Sequence, residues 1–204
     1  MNTDLMSYNI RYGFCASLFA LIFFYKLYSL LRLQRSGAAH RTGWPVVVTF
    51  ASTGTAFAFA MPAIYERFDA AIGVSNAATL GVYTCIVITS AAFQTVAMLW
   101  VGKHSTRRQI AARVGVYAAI IVIMWALFII GDASDGEHPV DFDAYFATTA
   151  YISQFLLLYY ATFGVAMAHV AVLSWRYAPS AGGWLGRGLR WLAVGAASPW
   201  GTWS

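Results

Sequence analysis

Charged residues are scarce in this chain: only 10% of its 204 residues are Asp, Glu, Lys or Arg. Apolar residues make up 60% and aromatic residues 17%, and the mean hydropathy is +0.62. A soluble domain carries about 25% charged residues. The composition therefore excludes an ordinary soluble domain and is typical of a multi-pass membrane protein.

Cysteine is nearly absent, since the chain has only Cys15 and Cys85. Both lie in apolar stretches and lack the spacing of metal ligands, which favours buried thiols over a disulfide or a redox pair. Internal repeats and low-complexity segments are also missing from the sequence. The first apolar run is longer than the roughly 7 to 15 residues of a signal-peptide core, so it predicts an uncleaved span.

Long apolar stretches recur along the chain, and a membrane-spanning helix requires about 20 such residues. Five stretches of that length lie at about 12–33, 44–64, 79–101, 114–131 and 148–175, and a sixth lies at about 189–204. None has the alternating polarity of a barrel strand, which is about 9 to 11 residues long. The sequence predicts an all-α, polytopic transmembrane helix bundle with residues 1–204 as a single domain.

Basic and acidic residues are segregated between alternate loops. Ten of the thirteen basic residues follow the first, third and fifth spans: Arg32, Arg35, Arg41, Lys103, Arg107, Arg108, Arg113, Arg176, Arg187 and Arg190. All eight acids lie on the other side, and five of them fall within "GDASDGEHPVDFDAYF", Gly131 to Phe146. Because positive loops stay cytoplasmic during insertion, we expect a cell-membrane protein with the amino terminus and loop 132–147 outside.

The distribution of basic residues also bears on partners. Basic loops beside membrane spans attract anionic lipid headgroups, at about 1 kcal/mol for each Lys or Arg. The basic residues are scattered over short loops without a nucleic-acid-binding module, so no nucleic-acid partner is expected. Lys26 is the one charge inside a span. It lies about 13 Å before Arg35 along a helix, which favours snorkelling to the headgroups over a proton or anion site.

The acidic loop has features that partly resemble a metal site. "DASDGE", from Asp132 to Glu137, begins like a calcium-binding loop, but Ser134 takes the place of the second carboxylate ligand. His138 has no second histidine on its side of the membrane, so a zinc site is not expected. A catalytic carboxylate pair requires one desolvated acid. The pattern favours a solvated loop that marks topology, with no metal, cofactor or catalytic role.

Polar side chains form two stripes inside the spans. At about 100° per residue, one stripe on the third span and one on the fifth could face each other and line a polar pocket. The candidate pocket residues are Tyr83, Ser90, Gln94, Gln154, Thr162 and His169. Interhelical hydrogen bonds, worth about 0.6 kcal/mol each, explain the stripes equally simply and are the favoured interpretation. The spans also lack the paired carboxylates or Arg–Glu pairs of an ion-coupled carrier.

The segment between the second and third spans predicts a short helix. "IYERFDAAI" places Ile64, Tyr65, Phe68 and Ile72 at helical spacing, which predicts an amphipathic helix on the outer surface. Pro62 is expected to end the preceding helix. The residues "GVSN", 73–76, supply a turn and a cap for the next helix.

Two loop segments resemble a known family. "PAIYERFDAAIGVSNAATL", Pro62 to Leu80, and "HPVDFDAYFATTAYI", His138 to Ile152, resemble stretches of actinobacterial multi-pass membrane proteins that have a domain of unknown function and are commonly described as transporters. The likeness runs from the first span to about Ala193. It implies a transmembrane architecture, and it supplies no catalytic or substrate-binding residues. This chain looks shorter than family members at its carboxyl end.

Together these patterns predict a non-enzymatic integral membrane protein that serves interaction or sensing, with a membrane or cytoplasmic protein as its partner. The alternative is a transporter, or a transporter subunit, for a small solute or a lipid. An intramembrane enzyme acting on a lipid would require a catalytic cluster at membrane depth, which the sequence does not show.

Overall fold

The computed structural model describes residues 3–35, 43–101 and 107–197, and these residues form helices and connecting turns without a strand. The helices are α1 (Thr3–Arg35), α2 (Gly43–Phe59), α3 (Pro62–Ile72), α4 (Ala77–Val101), α5 (Arg107–Ile130), α6 (Phe142–Tyr145), α7 (Ile152–Ala181) and α8 (Gly183–Ala197). The prediction of an all-α protein is confirmed for this part of the chain.

Within the described residues, four helices are long and apolar enough to cross a membrane: α1, α4, α5 and α7. A fifth candidate is α2 together with α3, although the two helices are bent by 86°. The predicted sixth span, 189–204, falls partly on α8, which ends at Ala197, and its last residues lie outside the described ranges. The described residues thus contain four or five candidate spans, and the predicted sixth span lies partly outside them.

The central helix of the bundle is α4, which packs against α2, α5 and α7, while α1 packs on α2 and α8 on α7. The main apolar core lies where α4, α5 and α7 meet, and its best-buried side chains include Val87, Met124, Ile152 and Phe155. A Cβ added to Gly54 would lie 3.3 Å from the Cβ of Phe19. A small residue at this position therefore allows α1 and α2 to approach closely.

The predicted span 44–64 is wrong at its end, because α2 stops at Phe59 and a new helix begins at Pro62. Proline has no N–H to donate and its ring clashes with the preceding turn, whereas the first turn of a helix accommodates it. Met61 is extended, with φ −72° and ψ 120°. Pro62 therefore starts α3 as well as ending α2, and α3 lies nearly at right angles to α2 across one end of the bundle.

The short helix predicted in this segment is present as α3, but its buried face differs from the apolar one. Pro62, Tyr65 and Asp69 are its buried residues, whereas Ile64 and Ile72 are 37% and 53% exposed. The helix is thus oriented by polar contacts that Tyr65 and Asp69 make with other segments, which periodicity does not reveal.

Residues 131–151, which we call the acidic loop, lie at the same end of the bundle as α3. Asp132 and Asp135 are exposed, as expected of a solvated loop. However, Phe142 and Phe146 are only 4% and 2% exposed and belong to the main apolar core. The loop is therefore folded onto the bundle by its aromatic residues and is solvated only on its outer side.

Candidate functional site

A cavity of about 470 Å³ lies between α5 and α7, with α4 at its base, and we call it the α5–α7 cleft. Its polar lining comes from three helices: Gln94 on α4, Arg113 and Tyr117 on α5, and Thr162 and His169 on α7. The cleft therefore brings five polar side chains from three helices together, and one of them is a guanidinium group.

The base of the cleft is formed by buried polar residues whose hydrogen bonds are directed within the protein. Gln94 is 4% exposed, and its Nε2 donates to the backbone oxygen of Ala166 at 3.3 Å, joining α4 to α7. Thr162 donates to the oxygen of Leu158 on its own helix at 2.7 Å. Both residues thus act structurally, as interhelical or intrahelical hydrogen-bond donors.

Arg113 and His169 meet across the cleft. An Nη of Arg113 lies 3.2 Å from Nδ1 of His169. A guanidinium group has only donors, so the histidine nitrogen accepts and the ring is neutral in this arrangement. Among the described residues, Arg113 forms no ion pair with an Asp or Glu. Its positive charge therefore has a polar neighbour but no negative counterpart in this part of the chain.

The walls of the cleft are apolar and open to the outside of the bundle. Val116 and Ile120 form one wall on α5, and Ala161 and Val165 form the other on α7. Val116 is 59% exposed and Val165 is 69% exposed. These residues lie on helices that are apolar enough to span a membrane, so the cleft opens onto the apolar side surface of the bundle.

A second polar cluster, at the acidic end of the bundle, is centred on Asn76. The residue is fully buried, and its Nδ2 donates to the oxygens of Ala133 and Gly136 at 2.8 and 2.7 Å. Its Oδ1 accepts from the Tyr65 hydroxyl at 2.6 Å and from the backbone N–H of His138 at 2.9 Å. One side chain thus connects α3, the start of α4 and the acidic loop.

Asp69 and Glu137 form a carboxyl pair beside this cluster. Asp69 is 2% exposed; its Oδ1 accepts the backbone N–H of Ala78 at 2.7 Å, and its other oxygen meets no N–H or O–H donor. Burial raises the pKa of Asp69 to about 7, and a hydrogen bond with the Glu137 carboxyl group is the second largest cause. Two adjacent carboxylates repel each other unless they share a proton. We infer that Asp69 holds that proton because it is the more buried residue.

Two tyrosine hydroxyls bind a third carboxylate, that of Asp143, at the end of the bundle where the acidic loop lies. Tyr83 on α4 and Tyr160 on α7 both donate to Asp143, one to each carboxylate oxygen. The ring of Tyr83 also packs against Tyr159, with ring centroids 4.3 Å apart. Asp143 therefore joins the acidic loop to α4 and α7.

Among the residues that the structure describes, no three His, Cys, Asp or Glu side chains are placed to hold a metal ion. His138 lies 3.2 Å from Asp141 in an i, i+3 pair. Asp132 accepts from the N–H and the hydroxyl of Ser134 at 3.1 and 2.5 Å. These contacts are local turn hydrogen bonds.

The six candidate pocket residues are separated by the structure into two groups. Gln94, Thr162 and His169 line the α5–α7 cleft. The other three lie elsewhere: Tyr83 contacts Asp143, Ser90 donates to the oxygen of Ile86 on its own helix at 2.9 Å, and Gln154 is exposed. Lys26 is exposed on α1, with its Nζ 5.8 Å from the centre of the Tyr25 ring.

The sequence patterns did not reveal the residues on which the α5–α7 cleft and the Asn76 cluster depend. Arg113 was assigned to a cytoplasmic loop because span four was expected to begin at residue 114, but α5 begins at Arg107. The signal for Arg113 was its position one residue before the apolar run. Asp69 and Asn76 gave no such signal, because their partners in the acidic loop are 57 to 68 residues away in the chain.

Comparisons with protein-family models, with curated proteins and with solved structures found no match to this chain. The resemblance to actinobacterial membrane proteins therefore stays an expectation.

Proposed function

We propose that the protein is a non-enzymatic integral membrane component for interaction or sensing, whose recognition surface is the acidic loop. In this proposal the amino terminus and the acidic loop face the outside of the cell membrane. The basic loops face the cytoplasm, beside anionic lipid headgroups.

The observation that carries the proposal is the burial of Asn76 and its four side-chain hydrogen bonds to α3 and the acidic loop. A loop that only marked topology would need no buried connection to the helices. In this proposal Asn76 transmits a perturbation of the loop to the start of α4, the central helix of the bundle.

The outer side of the loop has a composition suited to a protein partner. Val140, Tyr145 and Tyr151 are each 45% to 47% exposed. Asp135 and Asp141 lie among them and are also exposed. Exposed tyrosines within a polar rim are typical of protein interfaces, and the carboxylates favour a partner with a basic surface.

Photo-crosslinking in native membranes tests this function. A benzophenone amino acid at Val140 should give a discrete protein adduct, and the same group at Ile129, which is 74% exposed on a candidate span, should react with lipid. Asn76→Gly should abolish the adduct at Val140, because the loop loses its buried connection. Lipid adducts alone at both positions would refute a role of the loop in recognition.

The alternative function is a transporter, or a transporter subunit, for a small solute or a lipid. The α5–α7 cleft is the observation that favours it, since the cleft combines polar residues with an opening onto the apolar side surface of the bundle. Reconstituted vesicles provide the comparison: a carrier moves its substrate in them without a protein partner, whereas an interaction component has no such activity.

A further inference from the structure

We propose that the α5–α7 cleft binds an anionic phospholipid, with the lipid phosphate on the Arg113 guanidinium and an acyl chain between the walls of the cleft. This inference goes beyond the proposed function and does not depend on it, because the cleft and the acidic loop lie at different ends of the bundle.

The first step is the charge of Arg113. A guanidinium group is always protonated, and at membrane depth a charge without a counterion is costly. In the described part of the chain Arg113 has no ion-pair partner. Its contact is the neutral ring of His169, which satisfies one donor of five. A phosphate group accepts two parallel N–H donors of a guanidinium and supplies the missing charge.

The second step is the depth and direction of the side chain. Arg113 lies six residues after the start of α5 at Arg107, which is about 9 Å along the helix. A snorkelling arginine would extend toward the end of its own helix. The Arg113 guanidinium instead reaches His169 on α7. It is therefore held across the cleft, between α5 and α7.

The third step is the shape of the walls. Val116 and Ile120 are spaced by four residues on α5, as are Ala161 and Val165 on α7, and all four line the cleft. Residues with this spacing lie one above the other on a helix. They form two parallel apolar ridges that begin beside Arg113 and His169. A headgroup anion at the charged end and an acyl chain along the ridges match this arrangement, whereas a free anion would leave the ridges unused.

The test compares Arg113→Gln with Arg108→Gln in the purified full chain. Both changes remove one positive charge from α5, but Arg108 is exposed and does not line the cleft. The variants are titrated in detergent with dioleoylphosphatidylglycerol, and bound lipid is measured by native mass spectrometry. Loss of a charge-assisted contact should weaken phosphatidylglycerol binding by about ten- to a hundredfold in Arg113→Gln, and Arg108→Gln should bind like the parent protein.

A second variant, Ala161→Trp, fills the space between the walls and leaves Arg113 in place. It should also weaken phosphatidylglycerol binding, and it decides the matter if Arg113→Gln does not fold. Dioleoylphosphatidylcholine should bind the parent protein about tenfold or more weakly than phosphatidylglycerol, because its choline cation offsets the charge of the phosphate and is repelled by Arg113.

Three results would overturn the proposal. Equal losses in Arg108→Gln and Arg113→Gln would mean that surface charge alone attracts the lipid. Equal binding of phosphatidylcholine and phosphatidylglycerol would mean that the net charge of the headgroup does not matter, so that the cleft does not select an anionic lipid. Displacement of the lipid by millimolar inorganic phosphate, with unchanged binding in Ala161→Trp, would mean that the site takes a free anion.

Discussion

Replacement of Asn76 should release the acidic loop from the bundle. Asn76→Gly removes all four side-chain hydrogen bonds of a residue with no exposed surface. The backbone φ of Asn76 is 59°, a conformation that glycine adopts freely. The glycine variant therefore isolates the loss of the side chain from any backbone strain.

The size of the effect follows from the groups left behind. Tyr65 keeps a partner, since its hydroxyl is also 2.7 Å from that of Thr79. Ala133, Gly136 and His138 each lose a hydrogen bond of their backbone. If two of these three groups stay unpaired, at about 1 to 3 kcal/mol each, the folded loop is destabilised by about 4 kcal/mol. Asn76→Ala adds strain of about 1 to 2 kcal/mol because alanine disfavours a positive φ.

Hydrogen exchange measured by mass spectrometry reports this local opening. In the detergent-solubilised protein, residues 131–151 should exchange much faster in Asn76→Gly than in the parent, and as fast or faster in Asn76→Ala. Asp132→Asn is the matched control, because Asp132 is exposed and accepts only from Ser134 within the same loop. Unchanged exchange of the loop in Asn76→Gly would refute the idea that Asn76 holds it in place.

Three further predictions concern topology, pH and the cleft. In a cysteine-free background on intact cells, Ser134→Cys should react with a membrane-impermeant thiol reagent and Ser105→Cys should not; the reverse pattern would invert the topology. Because folding raises the pKa of Asp69 from 3.8 to about 7, its contribution to stability is complete below pH 3.8 and is lost as pH rises through 7. The melting temperature should therefore fall as the pH rises over this range, and Asp69→Asn should remove that fall. An equal fall of the melting temperature in the variant would exclude Asp69 as its cause. His169→Ala should cost about 1 kcal/mol of unfolding free energy in detergent without added lipid, and no measurable loss would argue against a structural contact with Arg113.

The acidic loop shows how far a sequence interpretation extends. The exposed positions of Asp132 and Asp135 follow from their Gly- and Asp-rich surroundings. The carboxyl pair of Asp69 and Glu137 cannot be predicted from local sequence, because one acid lies on α3 and the other lies 68 residues later in the chain. The sequence predicts a solvated loop without a desolvated acid, and the structure places a buried acid on α3, beside a carboxyl group of the loop.

The polar stripes show the same limit inside the bundle. Periodicity placed Gln94, Thr162 and His169 on inward-facing parts of their helices, and the structure brings all three to one cleft. The same periodicity also selected Gln154, which is exposed. A helical period gives the relative directions of side chains on one helix, but the rotation of that helix against its neighbours depends on packing.

The sequence by itself determined the class of the protein, because hydrophobic runs of about 20 residues and scarce charge depend only on local composition. It also determined that the chain is helical and that a short helix precedes α4. Only the tertiary structure decided that Pro62 starts α3 at 86° to α2, that Asn76 joins three segments, and that Arg113 faces His169 without a carboxylate partner in the described residues. These features arise from contacts between residues distant in the chain, and their energies depend on burial and on hydrogen-bond partners that a linear pattern does not contain.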